Sequence, residues 1–143
     1  MFPHFILKPT IVFERFSKWE RLLRCVAYVH RYIENCRRAC SKIPRQSGNL
    51  TREELQKGER TLWRLAQVEL FPEEVATLKR NMQTQRQKPL ENGSPIAAAT
   101  PMIDDDGILR VDSRMEKADC ISYETKYPVI LPREHHVTKE SCE

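Results

Sequence analysis

The sequence predicts an α+β protein: about three N-terminal helices followed by a small antiparallel β-hairpin region, in part without regular order. Three observations carry this. Residues 17–42 place apolar side chains at three- and four-residue steps, the period of an amphipathic helix. Residues 50–81 repeat that pattern behind a strong helix-start signal. Beyond residue 95 the pattern changes to short β-prone runs, one around an Asp-Gly turn and one between prolines.

The first helix is expected from about Ser17 to Lys42. Ser17 and Glu20 fit a capping box, in which each side chain bonds the other residue's backbone amide. Trp19, Leu22, Leu23, Val26, His30, Ile33 and Cys40 share one stripe at about 100° per residue. Arg21, Arg24, Tyr28, Arg31, Arg38, Lys42 and Arg45 fall on the opposite stripe, which makes the outer face basic. Pro44, Gln46, Ser47, Gly48 and Asn49 end the helix.

The second helix starts at a capping box of Thr51 and Glu54, with Leu50 and Leu55 placed as a hydrophobic staple. Leu55, Leu62, Leu65 and Ala66 form its apolar face, with Trp63 beside it. Gly58 interrupts it at a cost of about 1 kcal/mol relative to Ala. Pro72 suits the first position of a third helix, and Glu73 and Glu74 sit near the positive end of its dipole. That helix closes at Lys79, Arg80 and Asn81.

Residues 82–95 are polar and read as a linker. Ile103, Asp104-Asp105-Asp106-Gly107 and Ile108 to Val111 read as a β-hairpin. Tyr127 to Leu131, ending at Pro132, reads as a short strand. The flanking Pro128 and Pro132 restrict it to a sheet edge.

The composition sets limits. The chain has 143 residues, 40% of them hydrophobic and 31% charged. That allows a modest core and argues against a large enzyme fold with a deep pocket. The net charge of +4 is unevenly divided: residues 1–88 hold 18 Lys and Arg against 9 Asp and Glu, and residues 89–143 hold 6 against 11. Such asymmetry fits two segments with different jobs, or a basic segment with a polyanionic partner. No apolar run is long enough for a transmembrane helix, so no membrane partner is expected. The N-terminus lacks the pattern of a signal peptide. An intracellular protein is expected, in cytoplasm or nucleus.

No catalytic or metal-ligating residue is expected. The four glycines, at 48, 58, 93 and 107, form no phosphate loop, and there is no Gly-x-Ser-x-Gly elbow. The five cysteines are an odd set without a secretory context. Cys36 and Cys40 are the one close pair, and His4, His30, His135 and His136 supply no second pair near them, so a zinc site is not expected. The cysteines read as small apolar residues on a helix, the aspartate triplet as a turn tip, His135-His136 as a polar tail and His30 as a hydrogen-bonded core histidine. The basic stripe is the one feature with a functional reading. Arg24, Arg31 and Arg38 recur every seven residues and can track phosphates, and Tyr28 among them can stack on a base. The candidate nucleic-acid-binding residues are therefore Arg21, Arg24, Tyr28, Arg31, Arg38, Lys42 and Arg45.

Four blocks, in order, carry a family resemblance: ERFSKWERLLRCVAYVHRYIENCRR, LTREELQKGERTLWRLAQVELFPEEVATLKRN, PMIDDDGILRVDSRMEKAD and YETKYPVILPREHHVTK. From about Phe13 to Lys139 the chain resembles the Bel/Pao-type long-terminal-repeat retrotransposon polyprotein, in the stretch between ribonuclease H and the integrase zinc-binding domain. Asp104, Gly107, Leu109, Arg110, Val111 and Arg114 match the family's hairpin block. Tyr127, Pro128, Ile130, Leu131, Pro132, His136 and Thr138 match the block before the zinc domain. Asp112 and Ser113 stand where the family has two glycines, which puts the turn geometry there in question. Gly58 stands where a better helix former is usual.

The resemblance implies the following organisation: residues 1–12 unassigned, 13–81 a basic helical connector, 82–95 a linker, 96–139 a β-rich pre-integrase extension and 140–143 a divergent tail. It implies a truncated, non-catalytic polyprotein fragment that serves DNA integration as scaffold. Its partners in the intact family are the ribonuclease H and integrase domains. No cofactor is expected, because the family's zinc site lies beyond the end of this chain. Two other readings stay open: a free-standing basic nucleic-acid-binding module, and a helical protein-interaction piece completed by a partner.

Overall fold

A computed structural model describes residues 18–84, 88–90, 93–113 and 120–131. Its element order is α1 (Trp19–Cys40), α2 (Arg52–Leu70), α3 (Pro72–Thr84), a 3-10 turn at Ala97–Ala99, β1 (Pro101–Ile103), β2 (Leu109–Val111) and α4 (Tyr123–Lys126). The architecture is α+β, as the periodicities predict. The described residues fall into two compact units that divide inside α2, after Leu65. The segment at 82–95, expected as a linker, lies inside the second unit.

In the first unit, α1 buries Leu22, Val26 and Ala27. Its cap falls one residue later than expected: Lys18 is the N-cap and bonds no helix amide through its side chain. Ser17 lies outside the described residues. The helix ends at Cys40 in a Schellman arrangement: Lys42 N–H donates to Ala39 O (3.3 Å) and Ile43 N–H to Arg38 O (2.9 Å). Lys42 takes the left-handed conformation there, at φ +57°.

Thr51 and Glu54 form the predicted capping box. Thr51 N–H donates to Glu54 Oε2 (2.8 Å), and Glu54 N–H donates to Thr51 Oγ1 (3.3 Å). Gly58 proves to be a contact point rather than a fault in the helix. It is buried, and a Cβ there would lie 3.3 Å from Leu23 O and 3.4 Å from Ala27 N. The absent side chain lets the α2 backbone approach α1, a gain that helix propensity cannot register.

In the second unit, Val75, Ile96, Ile103 and Leu109 make a buried cluster, with Val68, Phe71, Leu78 and Ile130 packed against it. The hairpin register pairs Pro101 with Val111, Met102 with Arg110 and Ile103 with Leu109. Asp104 to Gly107 is the turn: Gly107 N–H donates to Asp104 O (2.9 Å), and Gly107 has φ +77°. The Tyr127 to Leu131 segment adds a single bridge, Val129 against Arg110, on the outer edge of β2. Val111 N–H donates to Pro128 O (2.9 Å) and Ile130 N–H to Leu109 O (3.0 Å). Pro128 lends only its carbonyl, the role open to a residue without an N–H.

Asp112 and Ser113 need no glycine. Among the described residues, the non-glycine positions with positive φ are Lys42 and Thr100. Arg114, His135, His136 and Thr138 lie outside the described residues, as do His4 and Cys142.

Candidate nucleic-acid interface

The basic stripe of α1 divides once the chain is folded. Arg21, Arg24 and Tyr28 are exposed on α1 as the helical period requires. Arg31 is not. It is 8% exposed, and its guanidinium makes four hydrogen bonds. Nε and Nη2 grip the Glu54 carboxylate (2.7 and 2.5 Å), Nη1 donates to Gly48 O (2.6 Å) and Nη2 donates to Asn49 O (2.8 Å). This corrects the sequence assignment: Arg31 is committed to the fold and offers nothing to a phosphate.

The reason is a loop that the helical wheel ignores. Residues 43–49 run back along α1, and side chains of the helix bind their backbone. Arg38 Nη1 donates to Pro44 O (3.3 Å). Asn35 Nδ2 donates to Gln46 O (3.0 Å) and its Oδ1 accepts from Gln46 N–H (2.7 Å). Arg31 takes the carbonyls of Gly48 and Asn49. Positions 31, 35 and 38 are one helical row, so the row fastens the loop. Arg38 also ion-pairs with Glu34 at 3.6 Å.

Lys42 and Arg45 are likewise corrected in place. The helix stops at Cys40, so both sit on the exposed returning loop rather than on the helical stripe.

Arg24, Tyr28, Asn49, Leu50 and Leu55 line a cavity of about 340 Å³. The Arg31 guanidinium lies 5.9 Å from the Tyr28 ring centroid, a fixed cation within cation–π reach of the ring. Tyr32, one turn further along α1, is 71% exposed. Tyr32 is not part of the basic stripe. Its signal was available as the i+4 neighbour of Tyr28.

The electrostatics favour an anion. Residues 18–65 carry twelve Lys and Arg against five Glu. Glu54 is ionised well below the usual range, its carboxyl held down to about 2, first by the Arg31 hydrogen bond and then by the Thr51 amide. The half-buried His30 is held below 6.5 by burial and by the nearby Arg64 and Lys57 charges. Its Nε2 meets Thr61 Oγ1 at 2.9 Å, and that hydroxyl donates to Lys57 O (2.9 Å). The hydroxyl's one hydrogen is spent, so it accepts, and Nε2 carries the imidazole proton. His30 makes the hydrogen bond expected of it, but it is partly buried rather than in the core.

Asp104 is buried and spends both oxygens locally: Oδ1 accepts from Ile108 N–H (2.9 Å) and Oδ2 from Arg110 Nε (2.6 Å). Arg110 Nη1 also donates to Tyr127 O (2.8 Å). Cys25, Cys36, Cys40 and Cys120 are free thiols on the surface, which places Cys40 off the apolar stripe assigned to it. Among the described residues, no group of three or more His, Cys, Asp or Glu is arranged to hold a metal, and no helix is long and apolar enough to cross a membrane. No family model, curated protein or solved structure matches the chain.

Proposed function

We propose that this chain is the non-catalytic connector of a Bel/Pao-type retrotransposon polyprotein, the stretch that joins ribonuclease H to the integrase. One observation supports it above the others. The residues matching the two family blocks bond to each other. Arg110 from the hairpin block holds Asp104 of the same block and Tyr127 O of the second, and Leu109 O accepts from Ile130 N–H. A motif whose polar groups are spent on one another and on its own backbone supports a scaffold, because a reacting group must be presented to a substrate. Ribonuclease H and the integrase are the partners this reading assigns.

The genomic DNA around the coding segment tests it. The reading expects a frame, intact or decayed, with ribonuclease H upstream and paired His and Cys codons downstream. A host gene flanked by neither overturns it. Incubation with viral-end-like DNA and Mg²⁺ or Mn²⁺ is a second test: no cleavage or joining is expected, and metal-dependent activity that tracks the purified chain overturns the non-catalytic role.

A second reading, nucleic-acid contact through the first unit, is supported by the exposed Arg21, Arg24 and Tyr28 beside an open cavity.

A further inference from the structure

We infer that α1 carries a stacking site for single-stranded nucleic acid, with one base seated against Tyr28 in the cavity beside Arg24 and the next stacked on Tyr32. This rests on the second reading above and names its ligand and its contacts.

Four features converge. The cavity of about 340 Å³ has room for a flat heterocycle, with Leu50 and Leu55 as its apolar wall. Tyr28 is 53% exposed, and the Arg31 guanidinium 5.9 Å from its ring centroid is fixed by four hydrogen bonds. A ring held beside a fixed cation loses little freedom when a base stacks on it. Tyr32 is 71% exposed and one helical turn away, where side chains lie about 5–6 Å apart. Arg24 lines the cavity, and Arg21 lies three residues before it on the same exposed face. Exposed rings interleaved with cations are what an unpaired strand recognises: phosphates meet the charges and bases meet the rings.

Charge separates this occupant from others. A second copy of the chain would set Arg21 and Arg24 against their own kind in a symmetric pairing. A duplex keeps its bases stacked on one another, so it can use the cations and not the rings. Arg31 also changes meaning here: it is the brace of the stacking ring.

The test is fluorescence anisotropy of the full chain with a short labelled oligothymidine, the matching oligouridine and a duplex of equal length. Both single strands are expected to bind more tightly than the duplex. Tyr28→Ala and Tyr32→Ala are each expected to weaken strand binding about 5- to 150-fold. Tyr28→Phe and Tyr32→Phe keep the ring and are expected to bind like the parent. Changing Arg21 and Arg24 together to Gln is expected to flatten the salt slope by about two. All four positions are exposed, so circular dichroism should report unchanged helix content. Salt-sensitive binding that ignores both alanine changes, or that favours the duplex, overturns the stacking site and leaves backbone contact standing. Tyr28→Leu and Tyr32→Leu variants that bind the strands like the parent also overturn it, because leucine supplies apolar area without a ring face. No binding to any probe at low salt overturns both the site and the reading beneath it.

Discussion

The side-chain amide of Gln67 pairs with the backbone of Leu109 as a neighbouring strand would. Leu109 N–H donates to Gln67 Oε1 (2.7 Å), and Gln67 Nε2 donates back to Leu109 O (2.9 Å) and on to Ile130 O (2.8 Å). Gln67 is fully buried on α2, so a helix side chain serves the Leu109 amide and the Ile130 carbonyl, which the bridge between β2 and residues 127–131 leaves over.

Gln67→Met should therefore cost about 2–4 kcal/mol, since it keeps the volume and strands an amide and a carbonyl in the core. Gln67→Glu should cost more at neutral pH, because a carboxylate would face two carbonyls in place of the donor. The excess should shrink in acid, where the protonated carboxyl regains one donor. Denaturant midpoints of the three proteins against pH check this. A Glu variant as stable as the parent at neutral pH would refute it.

Glu54 sets an acid limit on the first unit. Its carboxyl is held at about 2 in the folded chain against 4.5 for the free group. The unfolded chain therefore takes up a proton first, and the stability from the Arg31 grip is present above about pH 4.5 and lost as the pH falls toward 2. Glu54→Gln should be less stable at neutral pH and should flatten the stability curve in that window. Equal slopes for parent and variant would refute the linkage.

Lys42→Gly should stabilise the chain by about 0.5–1 kcal/mol. Lys42 holds the left-handed position of the Schellman turn, which costs an L-residue about 1–2 kcal/mol, and the flexibility of glycine in the unfolded chain returns part of the gain. Thermal unfolding of the single variant measures it. A lower melting temperature would show that the lysine side chain holds something in place.

Gly58→Ala should fall short of the ~1 kcal/mol that helix propensity offers, because its methyl group meets the α1 backbone at Leu23 and Ala27. Gly58→Leu should lose about 1–3 kcal/mol by overpacking. An alanine variant that gains the full propensity term would mean that the two helices part easily.

Local rules reached the fold far better than the site. Thr51 and Glu54 lie three residues apart, and Asp104 and Gly107 close a turn within one segment, so each was legible from neighbours alone. Gly58 and the polar residues Arg31 and Gln67 were not. Arg31 meets Gly48 17 positions on, and Gln67 meets Leu109 42 positions on. A helical wheel records which side a residue faces and not what arrives there from elsewhere. The wheel put Arg31 with Arg24 because it assumed that the opposite stripe meets water, and the loop at 43–49 occupies that place instead. α4 escaped notice because four residues carry no period.

The returning loop at 43–49 is recognised by its backbone: Arg38, Asn35 and Arg31 bind carbonyls of residues 44, 46, 48 and 49, and one amide at 46. Peptide groups are the same in every residue, so the helix measures this stretch by its length. Exchanging the exposed side chains of Arg45, Gln46 or Ser47 leaves the spacing intact, whereas one inserted or deleted residue throws every later carbonyl out of step with its donor. Between related chains, such a loop would drift in letters and hold its count.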